Sequence, residues 1–223
     1  NNSFNTLEKF DNYIRHTLAW LKLALLYCSN KKRKLKIFLY LTPIKKLMPK
    51  NPVHILDANN CNSAVTTACN TDGEILIYRK EEWFKVLIHE TMHVLCLDFS
   101  GLSYNKLKQN MKDIFNVDSD FRISESYTEF WATIMNSLFH SFNFLDDECD
   151  FNGFLLYSEF FICFEKIFSL LQMIKILNYM GLTYPMIYRK KVKNITFKEN
   201  TNVFAYYIVK TILLFFSEDF LTW

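Results

Sequence analysis

The stretch that most constrains the fold is residues 81–99, which read EEWFKVLIHETMHVLCLDF. Its apolar residues recur at helical spacing, and this pattern predicts a buried helix over about residues 81–97. That helix carries His89, Glu90 and His93 among apolar neighbours. A buried carboxylate without a partner costs several kcal/mol, so the chain must either pair these polar side chains or use them.

Hydrophobic periodicity divides the chain into a strand-containing first part and a helical second part. A helix is predicted over residues 4–28, followed by strands at 34–43, 53–58, 63–69 and 74–79. Further helices are predicted at 104–115, 123–142, 154–180 and 202–217. Strands followed by helices are typical of an α+β fold. We therefore expect residues 1–99 to form an N-terminal lobe with a small mixed sheet, and residues 100–223 to form a mostly helical lobe.

The composition is that of a globular protein. Half of the 223 residues are hydrophobic, and glycine and proline number only four each. The longest apolar runs are interrupted by Glu159 and Lys210 and fall short of the roughly 20 residues that a bilayer requires. We therefore predict a soluble chain without a membrane span. Abundant Lys, Asn, Ile and Phe are typical of an AT-rich genome, such as that of a large DNA virus or an AT-rich microbe.

The six cysteines form no CxxC pair and no dense framework. This pattern predicts reduced thiols and a reducing, cytoplasmic-type compartment. Cys61 and Cys69 flank a short segment, and they could pair only if the compartment oxidises.

The net charge is +3, and basic residues cluster at 31–34 and 189–193. Such clusters form either a solvated surface or a docking site for acidic partners or nucleic acid. No aromatic–basic motif accompanies them, so we favour the solvated surface and expect no nucleic-acid partner.

The spacing of the two histidines predicts a metal site. Positions i and i+4 lie one turn apart on the same helix face, so His89 and His93 can direct two ring nitrogens at one point. Zn²⁺ accepts such ligands at about 2.0–2.1 Å. Glu90 projects about 100° further around the helix, where it can reach a water bound to the metal. This HExxH pattern supplies two ligands and a general base. The alternative is a chance match in a core helix.

With its flanks, the motif VLIHETMHVL (86–95) resembles the active-site helix of zincin metallopeptidases. The resemblance implies that His89 and His93 are zinc ligands, that Glu90 is the catalytic base, and that the chain has a two-lobed zincin-like fold. The upstream order of a helix, several strands and this helix is also similar to a zincin N-terminal lobe. An edge strand of that lobe binds the substrate backbone, and residues 63–69 would be its counterpart.

The third ligand is not of the metzincin kind. Metzincins have glycine where this chain has Cys96 and a ligand where it has Phe99, so that branch is excluded. Asp98 lies five residues beyond His93, where a continuing helix would carry it off the metal-facing side. We interpret Asp98 as a surface residue or as a support for a ligand.

The segment SESYTEFWA (124–132) supplies better candidates. Glu125 and Glu129 are four residues apart and share one helix face. They resemble the gluzincin pattern, which implies that Glu125 binds zinc while Glu129 orients a ligand histidine. Exchange of these two roles stays open, and the alternative is an exposed pair of helix carboxylates.

Stabilisation of a transition state needs a further donor near the carbonyl oxygen. Tyr206 and Tyr127 are the candidates that we retain. The other side chains considered are Arg122, His140 and Tyr207, and we interpret His16, His54 and His140 as structural.

The sequence thus predicts a zinc-dependent peptidase in which Glu90 activates a zinc-bound water to hydrolyse a peptide bond. Its partner would be a peptide or protein substrate. Two alternatives are a zinc hydrolase acting on a non-peptide bond and a non-catalytic zincin-like module in a larger assembly, such as a viral one. The intact Glu90 argues against the second alternative, because a structural zinc site needs no general base.

Overall fold

The computed structural model describes residues 2–29, 34–99, 102–188 and 195–222. Apart from Lys34, the basic clusters at 31–34 and 189–193 lie outside these ranges. The prediction that they form a solvated surface therefore falls outside the described residues. The chain forms two compact units, Asn1–Lys45 with Ser63–Gly101 and Lys46–Asn62 with Leu102–Trp223. Residues 46–62, which the sequence placed in the N-terminal lobe, therefore belong to the second unit.

The helices and strands follow the chain in the predicted general order, and the α+β class is confirmed. The helices are α1 (Asn2–Tyr27), α2 (Ala58–Cys61), α3 (Trp83–Val94), α4 (Asn105–Ile114), α5 (Ile123–Asn143), α6 (Phe151–Tyr179), α7 (Tyr184–Tyr188), α8 (Lys210–Phe215) and α9 (Ser217–Thr222), with a π-helix at Phe204–Val209. The strands are β1 (Lys34–Thr42), β2 (Ala64–Thr66), β3 (Asp72–Arg79), β4 (Val117–Asp118) and β5 (Ile195–Thr196).

The first unit is built on the three-stranded sheet of order β1-β3-β2. β1 runs parallel to β3 and β2 antiparallel to it, so the sheet is mixed as predicted. Every second side chain of β3 is buried, including Ile75 and Ile77. α3 packs on β3 and β2 and contributes the fully buried Leu87 and Ile88. The apolar helix and the alternating strand thus bury each other, which fixes the face that α3 turns inward.

Gly73 allows β3 to approach the end of α3 closely. A Cβ atom at this position would lie 2.6 Å from Cγ1 of Val94, which is inside van der Waals contact. Since Val94 is stiff at χ1 and almost fully buried, a side chain here would push the helix end away. The glycine therefore helps to hold the histidine-bearing helix against the sheet.

The second unit is mostly helical. α5, α6, α8 and the π-helix pack on one another. Its core includes an aromatic cluster of Phe115, Phe121, Phe197 and Phe204, in which neighbouring rings meet edge to face at centroid distances of 5.0–5.2 Å around Phe204. The short strands β4 and β5 pair in parallel beside this core. The sequence did not predict β4, β5, α2 or α7.

The predicted strand at 53–58 is wrong. Val53 and Ile55 are exposed, and only Leu56 forms an isolated bridge, to Glu199. Asp57 instead begins α2 with a capping box, in which it accepts from the backbone of Asn59 while the side chain of Asn60 bonds back to the Asp57 backbone. The polar side chains offered the backbone a local alternative to strand pairing.

Among the described residues, no helix is both long enough and apolar enough to cross a bilayer.

Cys69 and Cys96 form a disulfide with a Cα–Cα distance of 4.9 Å. The structure thus pairs Cys69 with Cys96 and not with Cys61, whereas a reducing compartment stays a prediction. Cys61 is a free buried thiol, and burial raises its pKa to about 11, which keeps it protonated and unreactive. The spacing of the cysteines in the sequence could not identify the partner of Cys69, because Cys69 precedes β3 while Cys96 follows α3.

Loss of this disulfide should destabilise the oxidised protein. The bridged residues are 27 apart, so Cys69→Ser should lower the free energy of unfolding by roughly 3 kcal/mol through loss of the loop constraint. Denaturant unfolding with and without reductant measures the effect, which should vanish in the reduced samples. The exposed Cys149 supplies the control, since Cys149→Ser should change neither measurement. Six titratable thiols in the unreduced, denatured parent would contradict the assignment.

Candidate metal centre

α3 brings two imidazole rings together as the sequence predicted. The Nε2 atoms of His89 and His93 lie 3.1 Å apart, and both residues are only 7% exposed. Two nitrogens bound at about 2.0–2.1 Å to one tetrahedral zinc would lie about 3.3 Å apart. The observed separation is therefore close to that of two ligands of a single ion.

The end of α3 places a carboxylate behind one of these rings. Oδ2 of Asp98 lies 2.6 Å from Nδ1 of His93, and the Asp98 side chain is fully buried. A carboxylate in this position accepts the Nδ1 proton of a neutral ring and leaves the lone pair on Nε2. This contact fixes the orientation of the His93 ring.

The turn that brings Asp98 back is a Schellman motif. The backbone N–H of Leu97 donates to the carbonyl of Met92, and that of Cys96 donates to the carbonyl of His93. Cys96 occupies the left-handed position of the motif, with φ of 54°. The backbone N–H of Cys69 also donates to the His93 carbonyl, at 2.9 Å. The helix end is thus held by the turn, by Cys69 and by the disulfide.

The sequence interpretation of Asp98 was wrong in one of its two alternatives. Asp98 is not a surface residue, because its side chain is buried against His93. The error came from extending the helix to residue 97, whereas the left-handed Cys96 reverses the chain after Val94. A cysteine at the glycine position therefore does not prevent the turn, and only the lack of a ligand at Phe99 still argues against a metzincin pattern.

Removal of the Asp98 carboxylate should weaken metal binding. We expect Asp98→Ala to lower zinc affinity about 10–100-fold, because groups that orient ligand histidines contribute on this scale. Asp98→Asn, which keeps an acceptor oxygen, should lose less. Competition with a chromogenic chelator measures the affinity, and thermal unfolding of the metal-free variants separates a binding effect from misfolding. Asp146→Ala, at an exposed site, is the control.

The second unit presents Glu125 in the first turn of α5, where the helix dipole favours its negative charge. Oη of Tyr206 donates to Oε2 of Glu125 at 3.1 Å. Tyr206 belongs to the π-helix, whose start is fixed by Glu199 accepting from the backbone N–H of Phe204 at 2.8 Å. Single π-helical turns are frequent at functional sites because the extra residue redirects side chains.

One nitrogen of each histidine and one carboxylate oxygen of Glu125 all lie within 4.8 Å of one another, so the group could hold a metal ion. Two imidazoles and one carboxylate are a donor set of catalytic zinc sites, in which a fourth position stays open for water or substrate. The chemistry of the donors and the spacing of the two Nε2 atoms therefore both fit zinc.

Glu90 is half-buried beside the histidine pair. Its charge reaches the neighbouring strand, where Tyr78 has a raised pKa. Burial is the main cause of that shift, the negative charge of Glu90 adds to it, and Arg79 opposes it. Glu90 is thus half-buried and close enough to Tyr78 for its charge to act on that phenol.

The other predicted site residues have the following places. Glu129 lies one turn after Glu125 and is half-buried, and its support of a ligand stays a prediction. Tyr127 packs its ring against Trp131 and Phe220, and its role as a donor also stays a prediction. The ring of His140 lies 6.1 Å from that of Phe161, and the ring nitrogen Nδ1 of His16 lies 2.9 Å from the Asn12 carbonyl.

Sequence reasoning missed the part that Glu199 plays, and it left Asp98 open between a surface residue and a support for a ligand. The signal for Asp98 was a carboxylate shortly after a histidine ligand, but its value depended on where the helix ended. Glu199 carries no sequence signal, because its effect passes through the backbone of Phe204 to the placement of Tyr206.

Comparisons with known proteins assign no family to this chain. No protein-family model matches it, and neither does any curated protein or solved structure. The function of the site must therefore be inferred from its own residues and their geometry.

Proposed function

We propose that this chain is a zinc-dependent peptidase with a gluzincin-like site on a zincin-like fold. The ligands are His89, His93 and Glu125, and Glu90 is the general base. The observation that carries the proposal is the convergence of two imidazole nitrogens and the Glu125 carboxylate within 4.8 Å. Glu90, which follows His89 on α3 and is half-buried, is a further carboxylate that is not part of this group. A structural zinc site has no use for that additional carboxylate.

The chain's own residues supply the acid–base chemistry. A zinc ion in this site would supply Lewis acidity, which activates water and polarises a carbonyl. Glu90 takes a proton from the attacking water as the water oxygen bonds to the carbonyl carbon. Glu90 then passes this proton to the amine nitrogen as the C–N bond breaks. The carboxylate is regenerated, and the products are a carboxylic acid and an amine.

Two further features support a peptide as the substrate. β2 is an edge strand of its sheet, and Val65 in it is exposed. An edge strand offers backbone donors and acceptors that an extended peptide can pair with. Tyr206 donates to the ligand Glu125, which brings a phenol beside the site; with its O–H turned away from Glu125, it would donate to the carbonyl oxygen.

The first test is metal content. Protein purified without chelator should contain about one zinc per chain, as expected for a single site with three protein ligands. His93→Ala should remove the metal, whereas His140→Ala, which changes a histidine outside the group, should retain it. Absence of zinc that micromolar zinc does not restore would overturn the site.

The second test is hydrolysis of a mixed peptide library by the zinc-loaded protein. Cleavage that stops on chelation and returns with zinc supports the peptidase. If peptides are untouched while ester or amide substrates of other classes are hydrolysed, the alternative of a non-peptide zinc hydrolase is correct. A zinc-loaded protein that hydrolyses none of these substrates is the non-catalytic module.

A further inference from the structure

α6 presents an apolar face that its own unit does not cover. Its inner side buries Met173, Ile176 and Leu177. On the opposite side lie six large apolar residues that are 44% to 66% exposed. They are Leu156, Phe160, Phe164, Ile167, Leu171 and Ile174. At about 100° per residue they fall within about 40° of one line along the helix. A helix that is apolar on both sides is normally buried on both.

The size of this face fits a protein interface. At about 200 Å² of surface for each large apolar side chain, the six residues leave roughly 700 Å² exposed. The largest apolar patch on a typical monomer is about 300–600 Å². Stable interfaces bury about 800 Å² per partner, so this face alone approaches what one side of a stable interface requires.

The charged residues beside this face would form ion pairs between two copies of the chain related by a two-fold axis. Glu159 and Lys166 lie on one flank, about 100–120° around the helix from the centre line of the face, and at equal distances from the midpoint between Ile162 and Cys163. Asp150 and Lys175 lie on the other flank, at equal distances from the same midpoint. In an antiparallel helix pair, residues on the same flank and equally far from the axis face each other. Each copy would therefore present Glu159 to Lys166 and Asp150 to Lys175 of the other copy.

The apolar side chains interdigitate about the same axis. In that register Leu156 falls between Ile167 and Leu171 of the other copy, and Phe160 falls between Phe164 and Ile167 of the other copy. Side chains of the two helices thus alternate along the pair without meeting head-on. Alternation of this kind is the packing that helix pairs use.

We propose that this face of α6 is the interface of a two-fold antiparallel dimer of this chain. The apolar area provides the stability, and the reciprocal ion pairs set the register. The proposal does not depend on the function of the metal site, because every residue in it belongs to α6 or to its N-cap Asp150.

A native thiol marks the dimer axis. Cys163 is exposed and lies next to the midpoint, so the two Cys163 residues of a dimer would come together. Cys149 is also exposed but lies beyond the N-terminal end of α6, far from its counterpart in the antiparallel pair. The two cysteines are therefore a matched pair for cross-linking, one at the axis and one away from it.

The test combines mass and cross-linking on the unmodified chain. Sedimentation at micromolar concentrations should give about twice the 26.7 kDa of the monomer. A short bis-maleimide should link the copies in the parent and in Cys149→Ser, but not in Cys163→Ser. Phe164→Asp should give a monomer with an unchanged circular dichroism spectrum. Leu102→Asp, at another exposed leucine of the same unit, should remain a dimer.

The register has its own test. In the dimer, residue 159 of each copy faces Lys166 of the other copy. Glu159→Lys would therefore place two positive charges against each other at both of these contacts. We expect the dimer dissociation constant to rise roughly tenfold or more. Lys166→Glu in the same chain should restore it. A monomer at all concentrations would overturn the proposal, whether or not that monomer binds lipid vesicles. A dimer that cross-links through Cys149 and not through Cys163 would overturn it as well.

Discussion

Glu90→Gln should leave zinc binding unchanged and lower peptide hydrolysis by about 10²–10⁴-fold, the usual contribution of a general acid–base group. Glutamine matches glutamate in shape, and Glu90 is not a member of the metal-binding group, so the helix and the ligands should be preserved. What the substitution removes is the group that accepts the proton of water and returns it to the amine.

The measurement compares zinc content and the rate of cleavage for a peptide that the parent hydrolyses. Glu81→Gln, which changes an exposed carboxylate just before α3, is the control and should retain full activity. Full activity in Glu90→Gln would show that the assigned proton transfer is wrong even with zinc in place. Equal inactivity of parent and variant, with zinc bound in both, would indicate a module that does not catalyse.

Glu125→Ala should lose zinc, whereas Glu129→Ala should weaken zinc binding only about 10–100-fold, as expected when a residue supports a ligand without binding the metal itself. Glu125 is the carboxylate that lies within 4.8 Å of the ring nitrogens, and its oxygen also accepts from Tyr206. Loss of a ligand should therefore be distinguishable from loss of a supporting contact.

Titration of each variant with zinc against a competing chelator measures these affinities. Glu148→Ala, at an exposed position before α6, is the control and should bind zinc like the parent. The opposite order of effects would exchange the roles of Glu125 and Glu129. Negligible effects from both would return this pair to the alternative of two helix carboxylates without a metal.

The elements that could be predicted are those whose pattern is local. The apolar spacing of α3, the alternation in β3 and the long periodic runs of α5 and α6 all lie within single segments, and burial then fixes which face turns inward. The i, i+4 pair of His89 and His93 is equally local. This is why the sequence predicted the meeting of their ring nitrogens.

The features that were predicted wrongly or not at all depend on contacts that hydrophobic periodicity does not encode. Polar capping at Asp57 converted a predicted strand into a short helix, although Val53 and Ile55 are apolar. The disulfide pairs Cys69 with Cys96, two positions that only the packing of β3 and α3 brings together. The extra residue in the π-helix turn that carries Tyr206 likewise leaves no mark in apolar spacing.

The left-handed turn at Cys96 makes one position responsible for two separable properties. Its backbone conformation returns Asp98 to His93, while its sulfur joins the helix end to Cys69. Glycine adopts that conformation without steric cost, so Cys96→Gly would retain the turn and lose only the covalent link. Valine, which is β-branched, would lose both. A pair of substitutions at a single residue can thus assign how much of the His93 geometry is owed to backbone shape and how much to the cross-link.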